Sequence, residues 1–333
     1  MISGSPRVGP FLQAFFADHL IEHKRVSRQT VASYRDTFRL LLQFIREQAR
    51  REPSALRIAD LDAPVILAFL DDLERGRGNC VGTRNVRLAA IRTFFRLVAL
   101  RDPGSVGIAT RVLAIPRKRT DYRLVGYLSR PEIDSIVSAP DPSSRIGRRD
   151  RALLLTLYNT GARVSEITAL VRQDVLIDNK SFIQLQGKGR KERTVPIWTK
   201  TARVLKAWSA EIEARPDAVL FPNSRGLALS RDGVDYILRH AVAAASLACP
   251  GLLGKRVSPH VVRHTTAMHL LQAGVDITVI ALWMGHESIE TTHKYVEADL
   301  ATKERAIGKI APSDGKPTRF AAGDALLNFL ATL

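Results

Sequence analysis

Apolar residues recur at three- and four-residue spacing through most of the chain, and this pattern predicts a mainly helical protein. Phe11, Leu12, Phe15, Phe16 and Leu20 form one stripe. Val31, Tyr34, Phe38, Leu41 and Ile45 form a second, behind Ser27, a residue suited to capping a helix. Asp62 and Pro64 open a third helix running through Leu73. A fourth, from about Thr83 to Leu100, is expected to bury Val86, Ile91, Phe94, Phe95 and Val98. Between Arg101 and Leu128 the periodicity fades among Pro103, Gly104, Gly107 and Pro116. A four-helix domain over 1–103 and an interdomain linker over 104–128 are therefore expected.

Ser129-Arg130-Pro131-Glu132 reads as a capping box and marks the start of a second domain, 129–310. Here a helix through Leu153 and Tyr158 stops at Gly161, and Arg163 begins the next, Val164–Leu170. Clusters of β-formers at Val175–Ile177, Ser181–Leu185 and Thr194–Ile197 predict a three-stranded antiparallel sheet, with Lys188 in its second hairpin turn. Helices follow over about 199–214 and 230–247. Ser258 caps another that starts at Pro259 and runs to about Gly274. Asp276 caps a further helix ending before Gly285, and Ser288 one that carries Tyr295. The tail divides into a linker, 311–323, with two prolines and two glycines, and a short apolar helix, 324–333.

Composition narrows the partners. The chain has 333 residues, enough for two domains with real cores, and 45% of them are hydrophobic. Fifty Lys and Arg against thirty-three Asp and Glu leave a net charge of +17, which favours a polyanion. On charge alone DNA, RNA and an anionic membrane all qualify. With no long apolar run and no signal pattern at MISGSPRVGPF, a cytosolic protein is the expectation. Cys80 and Cys249 stand apart with no C-x-x-C pair and are read as reduced thiols.

Chemistry concentrates between Pro259 and Tyr295. His260 and Arg263 lie three residues apart on the first turn of a helix, hence on one face at its positive end, where an anion is the natural guest. His260 and His264 have zinc-helix spacing, but no Glu follows His260 and Arg263 would repel a cation, so no metal is expected. His264, His269 and His293 are read as packing or surface residues. Basic residues also line the predicted N-terminal helices: Arg28, Arg35, Arg39 and Arg46 on the second, Arg84, Arg87, Arg92 and Arg96 on the fourth, with Arg117, Lys118 and Arg119 in the linker. A charge run is usually a solvated face, but so many cations with few acidic neighbours favour phosphate contacts.

The order H-x-x-R, then G-H, then T-T-x-x-Y with its Tyr nine residues after that His, resembles the C-terminal half of tyrosine recombinases, the phage-integrase and Xer-like enzymes. RDRALLLTLYNTGARVSEITAL resembles the segment holding their first catalytic arginine, which maps onto Arg163, and GKGRKERTVPI resembles their hairpin lysine, which maps onto Lys188. The resemblance implies a SAM-like core-binding domain followed by an α-rich catalytic domain with a small sheet. It implies a catalytic set of Arg163, Lys188, His260, Arg263, His286 and Tyr295. Arg190, Lys191 and Arg193 either solvate the hairpin or hold phosphates. Glu297 stands where many members have a histidine.

The same resemblance implies DNA cutting and rejoining through a 3′-phosphotyrosyl link, without metal, ATP or other cofactor. A homotetramer would act on two duplexes with inverted-repeat core sites, joined by exchange of the helix 324–333, the alternative being that this helix docks on its own catalytic domain. The absence of an extra N-terminal arm-binding domain favours a simpler Xer-like or transposon-borne enzyme. Two other readings are a DNA-relaxing enzyme of the type IB topoisomerase kind and a DNA-binding protein without catalysis. The presence of all six residues argues against the latter.

Overall fold

The structure, a computed structural model, describes residues 4–120, 126–178, 180–187 and 192–285. The chain divides between Arg123 and Leu124 into two compact units, each described by itself.

In the first unit α1, Val8–Ala14, runs on in π-helical turns through Phe15–His23. Next comes α2, Arg28–Ala49, where Ser27 Oγ accepts the Thr30 N–H at 3.2 Å. Then α3, Ala63–Asp71, starts behind Asp62, whose carboxylate accepts the Ala63 N–H. The long α4, Val81–Arg101, completes the expected four. Phe15, Phe38 and Phe94 meet edge to face with centroids 5.1–5.8 Å apart, each pair adding about 1 kcal/mol beyond simple burial. Around them Leu41, Ile66, Phe69, Ile91, Phe95 and Val98 are fully buried.

Two expectations fail here. Val86 is half exposed, because Asn85 and Leu88 take the inward positions on that turn of α4. The expected linker also begins too early: Val106–Ala114 is a fifth helix, α5, which buries Ala109 and Val112 in the same core, followed by buried Ile115. Pro103 and Gly104 mark only a single turn between two helices, and the apolar stripe of α5 is too short to stand out among glycines.

The second unit is built around α7, Arg145–Thr160, which presents buried residues continuously from Ala152 to Thr160. Before it, α6, Arg130–Ser138, starts with Glu132 accepting the Ser129 N–H at 2.9 Å, as its capping sequence predicts. After it come the short α8, Val164–Thr168, and an antiparallel sheet of β1, Val175–Leu176, β2, Phe182–Gln186, and β3, Glu192–Pro196, in that order. Ile183 pairs with Val195 and Leu185 with Arg193, so the inner face carries three aliphatic residues and one arginine. Then follow α9, Thr199–Ser209, α10, Arg231–Ala248, α11, Pro259–Gln272, and α12, Ile277–Met284. Both α7 and α9 supply the main core, where Trp208 is buried and donates from Nε1 to Leu220 O at 2.7 Å. The α11 and α12 helices share a smaller cluster of Met268, Leu271, Ile280 and Met284. The helix predicted after Ser288 and the tail helix 324–333 lie outside the described residues. Among the described residues no helix is long and apolar enough to cross a membrane.

Helix α11 is fixed to α7 by polar contacts. Thr266 Oγ1 donates to Tyr158 O at 2.6 Å. Arg130 donates to the Tyr158 hydroxyl at 2.9 Å, and that hydroxyl lies 2.8 Å from His269 Nδ1. Burial, and then the nearby Arg130 charge, push the His269 imidazole down to about 4 from an ordinary 6.5. Between those values the unfolded chain takes up a proton that the folded chain refuses. The group therefore removes stability as pH falls through that window, on the order of 3 kcal/mol. In urea unfolding, wild type should lose more stability between pH 7 and pH 4 than His269→Gln does. Equal losses in the two proteins would contradict a buried neutral imidazole.

Candidate active site

Gly161 closes α7 in the left-handed conformation, φ 58°, and a Cβ there would stand 2.6 Å from Met284 Sδ. Only glycine lets the last residue of α12 approach so closely. The chain then turns into α8, whose N-cap is Arg163. Its backbone N–H donates to Glu166 Oε2 at 2.8 Å, the arrangement of a capping box. The Arg163 side chain donates from Nη1 to Glu166 Oε1 at 3.0 Å and from Nη2 to Gly285 O at 3.2 Å. Its guanidinium is 40% exposed.

Arg263 comes from the first turn of α11, held open by Ser258, which caps the helix by accepting the Val261 N–H. It is buried, donating from Nη1 to Gly161 O at 2.5 Å and from Nη2 to Met284 O at 2.6 Å. A third arginine, Arg193 of β3, donates from Nε to Trp283 O at 2.9 Å, and its two terminal nitrogens grip both oxygens of Glu166 at 3.0 and 2.7 Å. Three guanidinium groups thus hold the three consecutive carbonyls of residues 283, 284 and 285. These belong to the end of α12, where carbonyls lack helical partners and carry partial negative charge.

Glu166 is the carboxylate that Arg163 and Arg193 share, and its side chain is 2% exposed. Burial alone would raise its carboxyl, but the bonds from Arg193 and the Arg163 backbone, with the Arg193 charge, outweigh that and hold it below the usual range. His260, exposed at the rim of α11, is pushed the other way from protonation. Desolvation, then the charges of Arg263 and Arg163, lower its imidazole below 6.5. The three described members of the predicted set, Arg163, His260 and Arg263, therefore come together, with His260 in the field of both arginines. Lys188, Arg190, Lys191, His286 and Tyr295 lie outside the described residues. In sequence, Lys188 falls between β2 and β3, and His286 directly follows Gly285.

Sequence patterns alone do not single out Glu166, and Arg193 is not among the exposed hairpin cations it resembles. Both leave a signal. Glu166 stands at capping-box distance from Arg163, and Arg193 alternates with Thr194 to share the inward face of β3 with Val195. His264 and His269 are buried packing residues, as expected. Among the described residues no group of three His, Cys, Asp or Glu side chains is placed to hold a metal ion.

The N-terminal cations divide. Arg28, Arg35 and Arg39 on α2 are exposed, with Arg35 paired at 3.3 Å to its neighbour Asp36, and Arg117 is exposed beyond α5. Arg84 and Arg87 point the other way from the expected solvent-facing side. Arg84, 3% exposed, donates to Pro116 O at 3.2 Å and lies 3.8 Å from Glu74, while Arg87 donates to Ser33 O and Thr37 Oγ1 at 2.8 and 3.0 Å. Their long stems reach across to carbonyls and a hydroxyl on neighbouring segments, so they serve packing rather than an outer surface. Arg92 is half-buried, and exposed Lys118 pairs with Glu74.

Residues 127–301 match the phage integrase family, and residues 13–101 match the phage integrase N-terminal SAM-like domain. The chain is 48% identical over 326 residues to the "Putative integrase/recombinase y4rC" of Sinorhizobium fredii, spanning 98% of both chains. It is 32% identical to tyrosine recombinase XerC of Pelobacter propionicus, over 91% of this chain and 95% of that one. Among solved structures it is similar to the XerH site-specific recombinase bound to a palindromic difH substrate in a post-cleavage complex. The TM-score is 0.67 at 20% identity, covering 86% of this chain and 81% of the other. The Tn1549 transposon integrase in complex with a circular intermediate DNA gives 0.68 at 16% identity, covering 92% and 100%.

The field at His260 is open to direct measurement in the protein without DNA. Its ring carbon resonances should titrate with a midpoint below 6.5, and Arg163→Gln should move the midpoint upward by removing one positive neighbour. A midpoint at or above 6.5, unmoved by the substitution, would contradict the described clustering.

Proposed function

Because the chain belongs to the phage integrase family, and so is a tyrosine recombinase, we propose that it exchanges strands between two specific DNA sites through a covalent link on Tyr295. The observation that carries this reading is the meeting of Arg163 and Arg263 at the end of α12, immediately before His286 in sequence, with His260 in the field of both charges.

A phosphodiester resists attack because its charge repels nucleophiles and its alkoxide is a poor leaving group. The half-exposed fork of Arg163 has more donors than its contacts to Glu166 and Gly285 use, and it takes non-bridging oxygens. Arg263 adds fixed charge from behind, and His286 a further donor, where charge grows in the transition state. The Tyr295 hydroxyl attacks phosphorus and gives its proton to neutral His260. The P–O5′ bond breaks, and Lys188 protonates the departing 5′ oxygen. Attack by a 5′-hydroxyl from the other duplex reverses the step and releases the tyrosine. Bond energy stays in the 3′-phosphotyrosyl link, so the reaction uses neither ATP nor a metal ion. Arg28, Arg35, Arg39 and Arg117 are the described exposed cations that suit backbone contact on the duplex. The whole acts as a homotetramer on inverted-repeat core sites, with the tail 324–333 exchanged between protomers. The names of the relatives support recombination, and the solved neighbours in complex with DNA support a duplex as partner.

Covalent capture tests this without knowledge of the target. Randomly nicked genomic DNA from the source organism is incubated with the protein in EDTA, and protein-linked fragments are recovered under denaturing conditions and sequenced. Wild type should retain fragments sharing an inverted repeat, joined through their 3′ ends to the peptide containing Tyr295. Tyr295→Phe should bind duplex equally and retain none. Adducts formed by the variant, or wild-type adducts that disappear in EDTA and return with a divalent metal, would contradict the assignment.

A further inference from the structure

Arg193 is tied both to Glu166 and to the end of α12, yet it stands too far inside to meet a substrate as a surface cation: its side chain is 12% exposed. From β3 it makes three kinds of contact. Its terminal nitrogens meet both oxygens of Glu166, the same carboxylate that bonds the Arg163 backbone and guanidinium. Its Nε holds Trp283 O. Its stem and guanidinium lie against Gly285, where a Cβ would come within 2.9–3.1 Å of Nη1, Cδ and Cζ. Gly285 is the left-handed cap of α12, φ 63°, and a side chain there would be both strained and obstructed.

We infer that Arg193 is a positioning residue for the strand-exchange reaction: it neutralises Glu166, so that the charge of Arg163 is left for the phosphate, and it locks the end of α12 to the sheet. The inference rests on the function proposed above. The first effect is electrostatic. A buried carboxylate that has two cations can share itself between them, whereas one that has lost Arg193 has only Arg163 to pair with. Arg163 would then be drawn onto Glu166 and its positive charge offset. The second effect is mechanical, because β3 follows Lys188 in sequence, and Gly285 precedes His286. One side chain thereby connects the first arginine, the strand after the lysine and the helix end before the second histidine. A lysine at this position would keep the charge but lose the planar fork that spans both oxygens and a carbonyl.

The test uses full-length protein and a nicked duplex carrying the site recovered by covalent capture. At saturating DNA, Arg193→Gln should slow single-turnover cleavage about 100-fold, the scale of losing roughly 3 kcal/mol of transition-state stabilisation. Duplex affinity should stay within about threefold, a split between chemistry and binding that misfolding would not produce. Arg193→Lys should fall between, at about tenfold. Adding Glu166→Gln to Arg193→Gln should recover most of the loss, since no carboxylate remains to sequester Arg163. The ratio of wild-type to Arg193→Gln rates should also narrow as pH falls and Glu166 becomes protonated. A loss in Arg193→Gln below about threefold, or one that Glu166→Gln leaves unrelieved, would overturn the inference. Failure of wild type to form any adduct would defeat the proposed function instead. The inference about Arg193 would then be decided by hydrogen exchange at residues 281–285 without DNA. Arg193→Gln should accelerate exchange there about tenfold while leaving α10 unchanged, and unaltered exchange would overturn it.

Discussion

The last turn of α12 cannot satisfy its own carbonyls, and the site is organised around how they are satisfied instead. A helix end of this kind normally meets water or a glycine-rich turn. Here Arg193, Arg263 and Arg163 take the carbonyls of residues 283, 284 and 285 in succession, while Gly161 makes room for the Met284 side chain and Gly285 for Arg193. Assembling three guanidinium groups costs mutual repulsion, which one buried carboxylate, Glu166, partly offsets through a bidentate pair with Arg193. Glu166 meets two of the three guanidinium groups directly, Arg193 through both of its oxygens and Arg163 through one. Burial first, and then the charges of Arg263 and Arg163, lower the His260 imidazole below its ordinary 6.5.

Much of this was legible in the sequence, for a physical reason. His260 and Arg263 are three apart on one helix, Ser258 and Pro259 mark where that helix starts, and Gly161 marks where α7 must stop, so local rules placed them on the correct turns. Arg163 was legible from the motif around it. What local rules could not supply was the partner of each charge. Glu166 and Arg193 are distant in sequence and meet only through packing of α8 against the sheet, and a single arginine in a strand of alternating character does not announce that it faces inward. The same limit explains Arg84 and Arg87, which look like solvated cations on a helix wheel but reach carbonyls and a hydroxyl on neighbouring segments. The fifth helix of the first unit was hidden because Gly107 and a short apolar stripe resemble a loop.

The fate of the basic residues shows why a net charge of +17 is a poor guide to individual contacts. Some of the charge builds the protein: Arg84 ties Pro116 to α4, while Asn85 fixes Lys118 through a pair of backbone bonds at 2.8 and 3.1 Å. This staple holds the segment after α5 against the first unit and leaves Arg117 between its anchors, exposed. The remaining outward arginines of α2 are then the ones with no internal task stronger than a surface pair.

The site depends on Glu166 being ionised while buried, because only a charged carboxylate holds Arg193 and Arg163 in the described geometry. Its protonation can be followed directly by the carboxyl carbon resonance of Glu166 in the DNA-free protein, assigned by comparison with Glu166→Gln. The titration midpoint should lie below the usual glutamate range, so that the group remains charged in mild acid. A midpoint at or above that range would mean that burial outweighs the arginines, and would contradict the arrangement that gives the site its charge.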